Sequence, residues 1–96
     1  MVRHAVFFKF KPETGEGDRA DFVARLRSLP GLVPGILQPE IGEDFLHTPR
    51  SYDVALLLGF EDQAALDHYQ THPNHVPVVA RAREICSSVA AVDYIL

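Results

Sequence analysis

Tyr52-Asp53-Val54-Ala55-Leu56-Leu57-Leu58-Gly59-Phe60 is the stretch whose reading decides the fold. As a strand it places Val54, Leu56, Leu58 and Phe60 on one face and Ala55, Leu57 and Gly59 on the other, because successive side chains alternate. Neither face is polar. A strand of this kind belongs inside a sheet that is covered on both sides. The chain's own helices can supply one cover, and something else is needed for the second.

Towards the C-terminus, Glu61 to Thr71 carries Ala65, Leu66 and Tyr69 on one helical stripe, with Asp62 placed to cap the start. Pro73 pushes His72 out of helical geometry and ends that helix. Asn74 is expected to cap a second helix with Pro77 in its first turn, where a missing N–H costs little. Val76, Val79, Ala80 and Arg83 share one side of it. Between the two helices lies Tyr69-Gln70-Thr71-His72-Pro73-Asn74-His75-Val76-Pro77, a corner with a phenol and two imidazoles. His75 falls beside first-turn N–H groups that favour neutral imidazole. Ser87 to Leu96 then reads as a strand, with Val89, Ala91, Asp93 and Ile95 alternating with Ala90, Val92, Tyr94 and Leu96.

Towards the N-terminus, Glu43 to Arg50 is a loop. Val33 to Gly42, with Pro34, Gly35 and Pro39, suits an edge strand, since proline cannot donate to a central ladder. Before it, Asp18 can cap a helix whose stripe is Phe22, Val23, Leu26 and Leu29, ended by Pro30-Gly31. Val2 to Lys11 opens the chain as a strand, with Val2, His4, Val6, Phe8 and Phe10 on one side and Arg3, Ala5, Phe7, Lys9 and Lys11 on the other.

The order of elements is strand, helix, strand, strand, helix pair, strand. That is the α+β, ferredoxin-like split βαβ arrangement, a four-stranded antiparallel sheet with helices on one face. The uncovered face is too apolar to stand in water, because burial is worth roughly 25 cal/mol per Å². A homodimer formed through the open sheet face is the economical cover.

Ninety-six residues are read as one domain, residues 1–96, with 47% hydrophobic content. A net charge of −4 with interspersed acids and bases offers no basic patch, so no nucleic-acid partner is expected. No apolar run approaches membrane length, and Arg3, His4, Lys9 and Lys11 interrupt any leader pattern. A membrane partner is therefore not expected. The lone cysteine, Cys86, excludes an internal disulfide and fits a cytoplasmic location.

Several of these pieces together match a known family. His4-Ala5-Val6-Phe7-Phe8-Lys9-Phe10-Lys11, the turn at Leu29-Pro30-Gly31 or Val33-Pro34-Gly35, Gly59-Phe60-Glu61-Asp62, Tyr69 with His72-Pro73-Asn74-His75-Val76, and Val92-Asp93-Tyr94 resemble the stress-responsive A/B barrel (Dabb) domain. The resemblance implies a dimeric α+β barrel with a cleft between each sheet and its own helices. Some plant members are polyketide cyclases that need no cofactor. They close a ring by aldol condensation with a tyrosine and a histidine at the positions of Tyr69 and His75. The resemblance places His4, Val6, Phe8, Phe22, Leu26 and Leu56 around the cleft, with Leu58, Val76, Cys86, Val89 and Ala91. No cofactor is implied, and the ligand is a small apolar or keto compound.

Each candidate also has a plainer reading. Tyr69 and His75 act as hydrogen-bond donor and base, or they brace a helix corner in a non-catalytic structural oligomer. His4 contacts ligand or orients His75, or it is a satisfied core histidine, the reading favoured by the pairing of buried polar groups. His68, His72 and His75 have the spacing H-x₃-H-x₂-H, which zinc uses on an unbroken helix. Pro73 interrupts that helix, so no metal site is expected. Cys86 is read as a small buried hydrophobe, and Asp93 as an anchor for the last strand or a subunit contact.

Overall fold

A computed structural model describes all 96 residues. Its elements are β1 (Val2–Phe10), α1 (Glu16–Leu32), β2 (Leu37–Glu43), β3 (Val54–Phe60), α2 (Gln63–Gln70), α3 (Val76–Ile85) and β4 (Cys86–Ile95). The strands form one sheet in the order β2-β3-β1-β4, and every pair is antiparallel. The ferredoxin-like expectation holds.

Register explains why the two central strands are apolar on both sides. His4 stands opposite Leu58 and Asp93, Val6 opposite Leu56 and Ala91, and Phe8 opposite Val54 and Val89. These rows carry the helices. The alternate rows, Ala5 with Leu57 and Val92 and Phe7 with Ala55 and Ala90, make the other face. There Val92 and Tyr94 stay exposed.

The core lies between the first set of rows and the helices. Phe22, Leu26 and Leu29 of α1 and Leu58 and Phe60 of β3 lose all contact with solvent. Phe22 meets Phe8 and Phe10 edge-on at 5.1 and 6.1 Å between ring centroids. Such pairs add about 0.5–1.5 kcal/mol beyond the area they bury.

Three local expectations are corrected. First, α1 does not stop at Pro30-Gly31 and is not capped by Asp18. It begins after Gly15, and the Val33 N–H still reaches the Leu29 carbonyl. Proline inside a helix costs about 3 kcal/mol, but Leu29 and Val33 flank it at 0% and 1% exposure. Burying two such side chains returns a comparable amount. Second, β2 starts at Leu37 rather than Val33 and slips register between Leu37 and Glu40, around Pro39. Gln38 there takes φ 46°. A bulge on an edge strand is where proline is tolerated.

Third, α3 is not capped by the Asn74 side chain. His75 occupies the cap position, and the Asn74 amide donates instead to the Leu32 carbonyl at 3.1 Å. It thereby satisfies an orphan carbonyl at the end of α1. The inward stripe of α3 is accordingly Val78, Ala82 and Ile85, and Val76 is 52% exposed. By contrast, Asp62 caps α2 as expected, accepting from the Ala65 N–H at 2.9 Å. No helix is long and apolar enough to cross a membrane.

Candidate functional site

The corner between α2 and α3 is held by backbone and imidazole together. The His75 and Val76 N–H groups both donate to the His72 carbonyl, and the Asn74 N–H donates to His72 Nδ1. With Asn74 tied to α1, this fixes the direction in which His75 leaves the chain. The imidazole turns inward and is 7% exposed. Its Nδ1 lies 3.2 Å from the Gln70 carbonyl. A carbonyl can only accept, so Nδ1 carries the proton and Nε2 is left with its lone pair free.

Tyr69 comes from the last turn of α2 and is completely buried. Its ring lies against His75 at 4.0 Å between centroids and against Phe60 at 5.2 Å. The hydroxyl has no hydrogen-bond partner within the chain. Leaving a buried donor unmade costs about 1–3 kcal/mol. Burial pushes the phenol pKa well up, so the group stays protonated. Burial also lowers the His75 pKa; its bond to Gln70 opposes this, and His4 and His72 nearby add to it. The pair is therefore a neutral imidazole beside a protonated phenol.

Both side chains border a cleft of about 330 Å³ between α3 and the sheet. That is the low end of the range for small-molecule sites. The structure brings His4, Val6, Phe8, Leu26 and Leu56 to the same cleft, with Val89 and Ala91 on its open side along β4. Four expected lining residues do not reach it. Phe22 and Leu58 are consumed by the core, Val76 faces outward on α3, and Cys86 is the buried residue that follows α3. Burial raises the Cys86 thiol pKa, with the Asp53 charge adding to it and Lys11 opposing. It is a small core side chain rather than an activated thiolate.

Gln70, Val78, Val79, Ala82 and Arg83 also line the cleft and were not expected there. Val79 and Arg83 lie four and eight residues after His75, which is one face of a helix. The stripe that Val79 and Arg83 share with Val76 in the sequence was the signal that could have found them. His4 is 6% exposed, and its Nδ1 is hydrogen-bonded to the Asp93 carboxylate, its cross-strand neighbour. Asp93 thus anchors β4 to β1. His68 and His72 stack edge-on at 5.5 Å on the outer side of the corner, away from the inward His75. No group of three or more potential metal-ligating side chains comes together.

A model of the Stress responsive A/B Barrel Domain matches residues 2–96. The chain belongs to the stress-responsive A/B barrel domain family. An uncharacterized protein of Streptomyces coelicolor is 32% identical over 96 residues, covering 98% of each chain. Among solved structures, a dimeric ferredoxin-like protein of unknown function from Bacteroides fragilis superposes with a TM-score of 0.81. It is 26% identical over 99% of this chain and 95% of that one. A hydroxynitrile lyase from Passiflora edulis superposes with a TM-score of 0.87 at 20% identity, over 99% and 92% of the two chains. At that identity the likeness concerns the A/B barrel fold alone.

Proposed function

We propose that this A/B barrel protein is a homodimer with a cofactor-independent acid–base site for small keto compounds. The observation that carries the reading is the buried Tyr69 hydroxyl, which has no partner of its own and stands beside an imidazole with one nitrogen free. A carbonyl oxygen entering the cleft would supply the missing acceptor. His75 Nε2 takes the proton alpha to that carbonyl, and the C–H electron pair moves into an enolate. The Tyr69 O–H donates to the enolate oxygen, where charge develops. In a diketone the enolate carbon then attacks the second carbonyl, and the imidazolium returns its proton to the new alkoxide. The ring closes by an aldol step with atoms and charge balanced.

The dimer rests on the outer sheet face, where Phe7, Leu57 and Val92 share rows with alanines, Tyr94 lies opposite Arg3, and no helix covers them. The Bacteroides fragilis relative is dimeric. Sedimentation velocity is expected to give a dimer, and a monomer at micromolar concentration would remove this part of the proposal. The buried lone thiol of Cys86 suits a reducing cytoplasm.

Heptane-2,6-dione tests the chemistry, since it is small enough for the cleft and cyclises through one enolate to 3-hydroxy-3-methylcyclohexanone, which then loses water to give 3-methylcyclohex-2-enone. The protein is expected to accelerate both alpha-deuterium exchange in D2O and enone formation. His75→Ala should cost about 10²–10⁴-fold, and Tyr69→Phe about 10²–10³-fold, the loss typical of one oxyanion donor. No acceleration over buffer by the wild-type protein would sink the reading. The cleft would then be a binding site or a by-product of helix packing.

A further inference from the structure

Arg83 is the one cation on the cleft wall, and it makes no hydrogen bond or ion pair within the chain. Its neighbour on the same helix, Arg81, is engaged by both Asp18 and Glu84. No carboxylate lines the cleft, and Asp93, the cross-strand neighbour of the lining residue His4, is bonded to it. A protein of net charge −4 thus keeps one unpaired guanidinium at an apolar cavity. Arginine presents a planar fork that matches a carboxylate in bidentate fashion.

Position along α3 adds a length. Arg83 is eight residues after His75, so their Cα atoms are separated by about 12 Å of helix rise. Helical side chains lean towards the N-terminus, which carries the guanidinium back over Val79 towards the cavity. A ligand long enough to span the cleft would meet Tyr69 and His75 at one end and Arg83 at the other, with Val6, Phe8 and Leu26 among the apolar lining.

We propose that the cleft takes a keto carboxylate with an apolar spacer, and that Arg83 is the residue that selects its acid group. This rests on the acid–base reading for the position of the ketone but not for the position of the carboxylate. Binding of 7-oxooctanoate and of its methyl ester, measured by calorimetry, separates the two. The acid is expected to bind about tenfold tighter than the ester, the worth of one charge-assisted contact at a half-open site. The preference should shrink as salt is raised. Arg83→Gln should bring acid and ester within about twofold, whereas Arg83→Lys keeps part of the preference through its point charge. Glu84→Gln, on the same exposed turn, should change nothing.

Equal binding of acid and ester by the wild-type protein, binding of neither, or a preference that survives Arg83→Gln would each overturn the assignment. His75→Ala distinguishes the two proposals, because it should abolish alpha-deuterium exchange while keeping the acid preference. Preference without exchange in the wild-type protein would leave Arg83 its role and refute the catalytic one. Exchange without preference would do the reverse.

Discussion

His4 and Tyr69 are two polar side chains buried in one layer, their rings 5.9 Å apart, and their surroundings treat them in opposite ways. His4 has its Nδ1 matched to a carboxylate on the adjacent strand. Tyr69 is more deeply buried and its hydroxyl has no partner within the chain. Folding alone explains the first, since a buried donor paired across a strand register pins β4 against β1. It does not explain the second, since phenylalanine would fill the same space without an orphan donor. The contrast separates a polar group whose pairing helps to build the protein from one that no contact within the chain accounts for.

Removing the tyrosine ring altogether should have the largest effect. Tyr69→Ala empties a site packed by Phe60 and His75, and truncating a buried aromatic costs about 3–5 kcal/mol. Urea unfolding should show that loss. A cost near 1 kcal/mol would mean that the ring is not part of the core. Next comes Asp93→Ala, which strands the His4 donor. Because the Asp93 side chain is 44% exposed, water can take part of its place, and about 1–2 kcal/mol of lost stability is expected. Tyr69→Phe sharpens the comparison further. It should leave stability unchanged or raise it by up to about 1 kcal/mol while lowering catalysis. A clear loss of stability would show that the hydroxyl is paired in solution, and the contrast with His4 would collapse.

The sheet and the contrast were not equally legible in the sequence. Two-faced strands such as Val54–Phe60 announce themselves, because alternation with apolar residues in both phases has few structural outcomes. Tyr69 and His75 stand out because a proline-broken helix corner sets a phenol and an imidazole six positions apart. Where reading failed, a long-range contact had overruled a local preference. Pro30 lies within α1 because Leu29 and Val33 are buried on either side. Asn74 gives up capping because the Leu32 carbonyl is within reach. On α3 the inward stripe is Val78, Ala82 and Ile85, which leaves Val76 outward. Phe22, Leu58 and Cys86 lie in the core rather than on the cleft wall, a distinction that hydrophobicity alone does not make.

The smallest effect expected is on the pH dependence of stability, and it extends the comparison to the second member of the pair. Burial lowers the His75 pKa below its ordinary value in the folded chain, whereas an unfolded histidine titrates near about 6.5. As pH falls through that value the unfolded chain takes up a proton before the folded one does. Between the folded pKa and about 6.5 the unfolded state therefore binds more protons, and stability decreases as the solution is acidified. Below the folded pKa both states are protonated and this contribution levels off; above about 6.5 both are neutral and it is fully present. Unfolding free energies of the wild-type protein minus those of His75→Gln, taken between pH 7 and pH 5, isolate the contribution from the other histidines. The difference should move against the wild type on acidification. A difference that is flat, or that favours the wild type in acid, would mean that the imidazole is as well solvated or as well paired when charged as when neutral. His75 would then belong with His4 among the groups that hold the protein together, and Tyr69 would be left without a base beside it.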